Sequence, residues 1–400
     1  MSKSNSTTDN FFSSQKEKSR VKTLIVTEFF KAYFPIISST DLNRDVWYID
    51  LFCGPGCYED GTPSTPVQLL DVIDKFESNN VRDRLKIVFN DYNAVYIEKL
   101  KKNISEHPVL KKLKYQPIIT NLKASEVDLS SYTQGNNPIF SFVDPWGYKD
   151  VSVSQVWSLV KNWGSDCVLF FNADRILQDI SKPSSEQDFR QIFGSYFDRA
   201  KQVQIDSTLS QRSKAEEFLS LFSRNLYETA KKDNINKKRG VFILPFYVEA
   251  DDKEKTSHYI VFISKAHKAI REMRRVMIKQ GNSDSAQLGF DSKDELQISL
   301  LSRSDDSDKS IIEVIKTVFA AYPRLYNNKY TVSELSECID RYEMFTAYRV
   351  FPYSSQEIKS AVQELHKRGC IEIVLLPGQR IRSAITDKRE FYITRKIEEV

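Results

Sequence analysis

The segment WYIDLFCGPGCYEDG, residues 47–61, constrains the fold of this chain more than any other. An apolar run ends in Asp50, and a turn that contains Gly54 and Gly56 follows at once. A buried strand of a parallel sheet leads into a tight loop in this way, and glycines let a ligand approach the backbone. The pattern therefore predicts a ligand site at the carboxyl end of the strand. The alternative is an ordinary strand-to-helix turn in which the glycines serve only the chain geometry.

Two later apolar runs also end in a carboxylate. LKIVFND (85–91) ends in Asp91, and PIFSFVDPWG (138–147) contains Asp144. Because the carboxyl ends of parallel strands meet at one edge of a sheet, we expect the three acids to line a single pocket. Any one of them alone is more often a turn residue or a helix cap.

The residues after the glycine turn favour one nucleoside cofactor over another. The dinucleotide fingerprint needs a third glycine for close helix packing and a helix N-terminus that faces the pyrophosphate, and here the third glycine position carries Glu59, followed by Asp60. Acidic side chains would repel a pyrophosphate. S-adenosylmethionine (SAM) carries a sulfonium and an ammonium group and no phosphate. We therefore expect SAM rather than NAD as the cofactor. Asp91 is expected to accept hydrogen bonds from the ribose hydroxyls.

Five sequence blocks resemble the three-Cys-motif partner proteins, a family that looks like SAM-dependent methyltransferases. The blocks are YIDLFCGPG (48–56), FVDPWG (142–147), VLFFNADRI (168–176), FRQIFGS (189–195) and HYIVFISKAHKAIREMRRVM (258–277). The resemblance implies a Rossmann-like methyltransferase fold, SAM as cofactor, and a separate protein partner that carries the three-cysteine motif. At the matching positions it implies a set of cofactor-binding residues: Asp50, Gly54, Gly56, Asp91 and Asn121.

Asp144-Pro145-Trp146 resembles the Asp-Pro-Pro-aromatic motif of amino-group methyltransferases. An exocyclic amine is a weak nucleophile because its lone pair is delocalised into the ring. A carboxylate and a backbone carbonyl that accept its two hydrogens localise the lone pair, while an aromatic ring stacks on the flipped base. This chain has one proline, an aromatic residue one position early, and then Gly147. The alternative for Trp146 is a buried aromatic side chain under the sheet edge.

The composition, 40% hydrophobic and 28% charged residues, is typical of a soluble globular protein, and no apolar run reaches membrane-spanning length. The first 19 residues lack the apolar core of a signal peptide and are expected to form a disordered tail. Five cysteines without paired spacing predict a cytoplasmic location and no metal site. Cys53 and Cys57 are best explained as small residues in a turn.

The chain is expected to form an α/β domain and a smaller C-terminal domain. The α/β domain spans residues 20–300, begins with a helix that ends near Pro35, and contains a helical insertion at 174–238. Residues 310–400 show three helical segments followed by a two-stranded hairpin, which resembles a winged helix. The third of these helices, 354–368, would be the recognition helix.

Two groups of basic residues are candidates for contact with DNA or RNA, although the net charge is only +4. The first is a stripe on the helix predicted at 265–280 and consists of Lys268, Arg271, Arg275 and Lys279. The second lies in and beside the predicted wing, Gln379–Lys388, and consists of Arg380, Arg382, Lys388 and Arg389. The alternatives are a solvated helix face for the stripe and a protein-docking role for the winged helix.

Together these features predict SAM-dependent methyl transfer to an amino group on nucleic acid, in association with a three-Cys-motif protein. The alternative from a different functional class is a methyltransferase-like subunit that binds nucleic acid or its partner without catalysing transfer. The altered Asp144-Pro145-Trp146 motif keeps this alternative open.

Overall fold

The computed structural model of the protein describes residues 17–78, 82–145, 147–233, 240–248, 258–281, 289–290, 329–346, 354–369, 371–375 and 391–395. Within them, a large sheet consists of β1 (Val46–Asp50), β2 (Leu85–Asn90), β3 (Ile118–Thr120), β4 (Ile139–Val143), β5 (Asp166–Phe171), β6 (Phe242–Val248), β7 (His258–Ser264) and β8 (Gly289–Phe290). The strands lie in the order β3-β2-β1-β4-β5-β7-β6-β8.

Strands β1 to β5 are parallel to one another, whereas β7 runs antiparallel to both β5 and β6. The strand order reverses between β1 and β4, and such a switch point is where open α/β sheets bind ligands, beyond the carboxyl ends of the strands. Every residue of β1 and β4 is buried, so both faces of the sheet are covered. The Rossmann-like α/β fold class predicted from the sequence is confirmed.

The helices that accompany the sheet are α1 (Glu17–Thr40), α2 (Thr65–Asp74), α3 (Ala94–Ile104), α4 (Val153–Val160), α5 (Ala173–Asp179), α6 (Glu186–Phe193), α7 (Phe197–Ile205), α8 (Gln211–Lys232) and α9 (His267–Gln280). Shorter helical turns are Pro108–Lys112, Ala124–Glu126, Ser130–Thr133, Gln134–Asn136, Pro183–Ser185 and Gly194–Tyr196. α1 packs against α2 and α9, and α8 packs against α4. Helices α5 to α8 occupy the region predicted as a helical insertion. None of the described helices is both long and apolar enough to cross a membrane.

Helix α1 is longer than predicted. The prediction ended it near Pro35, but the helix continues to Thr40. Proline in a helix interior costs about 3 kcal/mol because it removes a hydrogen bond and clashes with the preceding turn. Phe29, Phe30 and Phe34 on the same helix are fully buried, and burial of each such side chain contributes about 1.5–3 kcal/mol. Tertiary packing thus outweighs the local preference of the proline.

The C-terminal elements are β9 (Lys329–Tyr330), α10 (Val332–Thr346), α11 (Ser355–Lys367), β10 (Ile371–Leu375) and β11 (Phe391–Arg395). β10 pairs antiparallel with β11, and β11 also pairs antiparallel with β9. The helix predicted at 310–322 and the wing Gln379–Lys388 lie outside the described residues.

Candidate functional site at the carboxyl edge of the sheet

The three predicted carboxylates meet at the switch point of the sheet. Asp50 ends β1, Asp91 directly follows β2, and Asp144 directly follows β4. β1 lies between β2 and β4, so Asp50 occupies the centre of the group. The charges of Asp144 and Asp91 both act on the Asp50 carboxyl. The sequence expectation that these acids share one edge of the sheet therefore agrees with their placement.

Asp50 is wholly buried, and one of its carboxyl oxygens lacks a well-aligned donor. Oδ1 accepts a hydrogen bond from Phe52 N at 3.1 Å. Oδ2 is buried, and the Tyr48 hydroxyl approaches the Asp50 carboxyl without reaching ideal hydrogen-bond geometry. Burial raises the pKa of Asp50 well above its usual range, against the effect of the Phe52 hydrogen bond, and the charges of Asp144 and Asp91 raise it further. A buried acceptor without a well-aligned donor costs stability.

The glycine loop follows Asp50 and is fastened to the next strand. Gly54 and Gly56 have φ angles of 66° and 83°, a region that favours glycine. A Cβ atom on Gly56 would lie 2.8 Å from Leu100 Cδ1 on α3, so this glycine is needed for close packing as well as for its backbone conformation. Gly54 N donates to Asp91 Oδ2 at 3.0 Å, which ties the loop to the end of β2.

Asp91 has a structural role that its sequence position did not reveal. Its Oδ2 accepts from Gly54 N, and its Oδ1 accepts from Asn93 N at 2.8 Å. Burial raises the pKa of Asp91, whereas these two hydrogen bonds act to lower it. Each carboxylate oxygen can accept more than one hydrogen bond, so the side chain keeps acceptor capacity for a ligand hydroxyl.

Asn121 follows β3 and links it to the end of β2. Its Nδ2 donates to Asp91 O at 2.8 Å and to Tyr92 O at 2.9 Å. The side-chain nitrogen thus fixes the two loops against each other. This places Asn121 at the predicted edge, beside the backbone of the acid that was assigned to the ribose.

Two apolar residues at this edge were not singled out from the sequence. Tyr92 is 69% exposed and directly follows Asp91, and Leu122 is 40% exposed and directly follows Asn121. Lys123 Nζ lies 6.0 Å from the centroid of the Tyr92 ring, so the two loops are in contact. These side chains add apolar surface to the loops at this end of the sheet. In the sequence, the only local sign of this exposed position was that the aromatic residue Tyr92 directly follows Asp91, the acid at the end of a strand.

The preference for SAM over NAD assumed that Glu59 and Asp60 lie beside the bound cofactor. The structure places these two acids elsewhere. They form the exposed tip of a small hairpin, in which Tyr58 N donates to Thr62 O at 2.9 Å. The loop of Gly54 and Gly56 is buried and lies before this hairpin. The electrostatic character of the site therefore comes from the strand-end carboxylates and not from the acidic hairpin.

Asp144 is held by a lysine that the sequence analysis did not identify. Lys22 Nζ of α1 donates to Asp144 Oδ2 at 2.7 Å and lies 4.0 Å from the centroid of the Phe170 ring. The two side chains are 12% and 23% exposed. The ion pair fixes one carboxyl oxygen of Asp144 and leaves Oδ1 to accept from another donor. Pro145 is buried, and Trp146 lies outside the described residues.

The chain after this motif is anchored to the helical insertion by Tyr148. Its hydroxyl donates to Asp179 Oδ2 at 3.1 Å and lies 2.7 Å from Ser185 Oγ. Its ring stacks on Phe189 with a centroid distance of 4.1 Å. The insertion therefore fixes the segment that follows Asp144, next to the edge where the carboxylates meet.

The predicted basic stripe on α9 is divided between internal and external contacts. Arg271 donates to Ser333 Oγ of α10 at 2.5 Å, and Arg275 pairs with Glu272. Lys268, Arg275 and Lys279 are exposed. The wing residues Arg380, Arg382, Lys388 and Arg389 lie outside the described part of the chain.

The described residues contain no group of His, Cys, Asp and Glu side chains arranged to hold a metal ion.

Comparison with known proteins gives remote structural similarity only. No protein-family model matches the sequence, and no curated protein matches it. The methyltransferase domain of bacterial CtHen1 is 10% identical, with a TM-score of 0.31, over 62% of this chain and 97% of that one. A protein from Legionella pneumophila is 11% identical, with a TM-score of 0.32, over 60% and 84% of the two chains.

A SAM-dependent methyltransferase from Methanosarcina mazei is 10% identical, with a TM-score of 0.29, over 57% of this chain and 96% of that one. Matches at these TM-scores do not bear on function. The strand order with a reversed β7 between β5 and β6 is that of a Rossmann-like methyltransferase fold, and it comes from this chain itself.

Proposed function

We propose that the protein is a SAM-dependent methyltransferase that acts on an amino group of a nucleic acid, together with a protein that carries a three-cysteine motif. The observation that carries this proposal is the buried carboxyl of Asp50. This carboxyl lies between two further carboxylates beside a glycine loop, and no described residue gives its Oδ2 a well-aligned donor. A cluster of this kind attracts a ligand that is cationic rather than phosphorylated.

The residues at the edge fit the parts of SAM. The Asp50 carboxyl would attract the ammonium group, and the turn of Gly54 and Gly56 lets the ligand approach the backbone. Asp91 would accept the ribose hydroxyls, and Tyr92 and Leu122 would border the adenine. When bound, SAM supplies an electrophilic methyl group on its sulfonium. The three carboxylates favour that cation over the neutral thioether that remains after transfer.

Asp144 is the proposed catalytic residue. Because Lys22 holds its Oδ2, the free Oδ1 can accept a hydrogen from the attacking amine, and the carbonyl of Pro145 can accept the second. Both hydrogen bonds localise the nitrogen lone pair that attacks the methyl carbon. The methyl group that SAM would supply would pass to this nitrogen, the S–C electron pair would stay on sulfur as a neutral thioether, and the proton displaced from the amine would pass by way of Asp144 Oδ1 to solvent.

Separate observations support the acceptor and the partner. Lys268, Arg275 and Lys279 offer exposed cations for a phosphate backbone. The described C-terminal elements follow the order of a winged helix, with two helices before a hairpin and β9 added to β11. The protein partner is implied by the sequence resemblance alone.

Transfer of a labelled methyl group tests the proposal. The full chain is incubated with methyl-labelled SAM and pools of total RNA or DNA, with and without a three-Cys-motif protein. We expect label in nucleic acid with the wild type and none with Gly54→Val, whose side chain is strained at this φ angle. Binding of SAM in calorimetry without transfer in any pool would support a binding subunit instead. Tight binding of NAD without binding of SAM would overturn the cofactor assignment.

A further inference from the structure

We propose that the outer surface of the α/β domain beside β3 binds the backbone of a single-stranded nucleic acid. The surface consists of exposed side chains from α3, from the connection between α3 and β3, and from β3 as far as Lys123, and we call it the β3 surface. This inference rests on the proposed function, because it gives the acceptor a binding surface that is separate from the stripe on α9.

Positive charge is concentrated in this part of the chain. Residues 86–123 contain eight lysines and three acids, a net charge of +5, whereas the whole chain has a net charge of only +4. The remaining residues are therefore close to neutral as a group. One of the three acids, Asp91, is buried in the candidate site and does not offset the lysines at the surface. A charge asymmetry of this kind is typical of a segment that contacts a polyanion.

Four of these lysines are exposed and form no ion pair with any residue that the structure describes. Lys99 and Lys102 lie three positions apart on α3, a spacing that places them on the same face of the helix. Lys111 and Lys114 lie in the connection between α3 and β3. The other four lysines have acidic partners: Lys86 with Asp45, Lys101 with Glu98, Lys112 with Asp74 and Lys123 with Glu126. The first four can therefore bind phosphate without breaking an internal pair.

Apolar and aromatic side chains lie among these cations. Val95 is 60% exposed and stands four positions before Lys99 on α3, and Ile118 on β3 is 41% exposed. The centroid of the Tyr115 ring lies 5.1 Å from Lys114 Nζ. In a single strand the faces of the bases are open to such side chains, whereas in a duplex they are stacked inside. This combination favours a single strand over a duplex.

The β3 surface is continuous with the candidate site. β3 is the first strand in the order of the large sheet, next to β2. α3 begins just after Asp91 at the carboxyl edge and runs for 11 residues, about 16 Å. At that edge Lys123 Nζ lies 6.0 Å from the centroid of the Tyr92 ring. A strand bound along α3 therefore approaches the edge where Asp144 would receive the acceptor.

An acidic protein segment is the other class of partner with a matching charge. Residues 86–123 contain no arginine, the side chain whose planar fork pairs with a carboxylate through two hydrogen bonds. Lysine acts as a point charge and contacts phosphates in many orientations. The composition thus favours contact with a nucleic-acid backbone that does not depend on sequence.

Fluorescence anisotropy of the full chain with labelled single strands of uridine or of deoxythymidine tests the surface. Lys99→Gln combined with Lys102→Gln removes two phosphate contacts. Each contact contributes about 0.7 to the slope of log affinity against log salt, so the slope should fall in magnitude by about 1.4. At about 0.1 M salt this corresponds to roughly 25-fold weaker binding. The melting temperature and the affinity for SAM should not change, because both side chains are exposed.

Lys231→Gln combined with Lys232→Gln is the matched control. Both lysines are exposed on α8, and the double substitution changes the net charge by the same amount. It should change neither the affinity nor the slope. Equal losses in the two double variants would show a response to net charge alone and would overturn the proposal. A larger loss with Lys268→Gln combined with Lys279→Gln would place the strand on α9 and would also overturn it.

Competitors identify the class of partner. Displacement of the labelled strand by poly-L-glutamate as readily as by unlabelled strand would assign the surface to an acidic protein segment instead. Tighter binding of a duplex, or no binding of any single strand by the wild type, would reject the proposal as well.

The outcome is separable from that of the methyl-transfer experiment. A wild type that methylates nucleic acid and binds it no better than the Lys99 and Lys102 double variant would overturn the β3 surface alone. A wild type that binds single strands through these lysines but transfers no methyl group would support the surface and overturn the proposed function.

Discussion

Two carboxylates of this protein are equally buried and have opposite surroundings. Asp50 at the sheet edge and Asp340 on α10 are 0% and 1% exposed. Both oxygens of Asp340 lie 2.9 Å from Arg274 Nη2 of α9, and Oδ2 also lies 2.7 Å from His267 Nε2. Asp50 has other carboxylates as its charged neighbours instead, and no described residue gives its Oδ2 a well-aligned donor.

The electrostatic consequences differ in sign. Burial alone would raise the pKa of Asp340, but Arg274 and His267 hold it below its usual range. Burial and like charges raise the pKa of Asp50. A buried acid that is satisfied by its own chain holds two elements together, here α9 and α10. A buried acid that is not fully satisfied lowers stability, which makes it a candidate for a functional role.

The largest expected effect is on the satisfied acid. Asp340→Ala leaves the guanidinium of Arg274 buried without its counter-ion, which should lower the free energy of unfolding by about 3–5 kcal/mol. Urea denaturation at neutral pH measures this. Because the pKa of Asp340 is lowered in the folded state, the stabilisation is present above the pKa of the unfolded chain and is lost as the pH falls through the folded value.

Glu337→Ala is the matched control on the same helix. Glu337 pairs with Arg341 at 2.5 Å, but both side chains are exposed, so its loss should cost at most about 1 kcal/mol. If Asp340→Ala were no less stable than Glu337→Ala, the network would not hold α10 to α9.

The second effect is on rate and concerns Asp144. Loss of one oriented hydrogen-bonding group in a transition state costs about 2.7–4 kcal/mol, or roughly two to three decades of rate. Asp144→Ala should therefore reduce methyl transfer by this amount with little change in SAM affinity or melting temperature. A folded variant that methylates at the wild-type rate would reject the catalytic role.

Lys22 provides the companion variants. Lys22→Met should slow transfer because Asp144 Oδ2 loses its donor at 2.7 Å, while the affinity for SAM is unchanged. Lys22→Arg keeps the charge and should recover part of the rate. Equal rates in the two variants would show that the ion pair does not position Asp144.

A smaller effect is expected at Asp50, where a substitution should change SAM binding without lowering stability. Asp50→Asn removes the charge that would accept the ammonium, which should weaken SAM binding by about 1.5–3 kcal/mol, roughly ten- to a hundredfold. The free energy of unfolding should stay the same or rise, since the acid is not fully satisfied in the free protein. Calorimetry and a thermal melt on the same sample measure both. A loss of stability as large as that of Asp340→Ala would erase the contrast between the two acids.

The strands and the carboxylate edge were predictable because their signals are local. Each apolar run and its terminal acid are adjacent in sequence, and parallel pairing then brings Asp50, Asp91 and Asp144 to one edge. The glycine loop was predictable for the same reason. Even so, its detailed contact, Gly54 N with Asp91 Oδ2, joins residues 37 positions apart and followed only from the structure.

The ion pairs were not predictable because they join distant parts of the chain. Lys22 and Asp144 are 122 positions apart, and no local pattern relates them. Arg274 and Asp340 carried a weak signal, since each is a charged residue on the buried side of its helix. Two further features depend on packing and backbone pairing rather than on residue preference. Helix α1 continues past Pro35, and a hairpin places Glu59 and Asp60 away from the glycine loop.

The smallest effect concerns Asp166, which stands between the two extremes. It begins β5 and is buried, with Ser264 opposite it on β7 and Lys265 near it. Burial raises its pKa to about 7, against the opposing effects of Ser264 and Lys265.

Because the folded pKa of Asp166 exceeds the unfolded value, its contribution to stability is complete below the unfolded pKa and is lost as the pH rises towards about 7. Between about pH 6 and about pH 8 the wild type should lose about 1.4 kcal/mol relative to Asp166→Asn. Urea denaturation of both proteins across this range measures the difference. Parallel stability curves would show that Asp166 does not change its protonation on folding, and burial alone would then be a poor guide to the state of Asp50 as well.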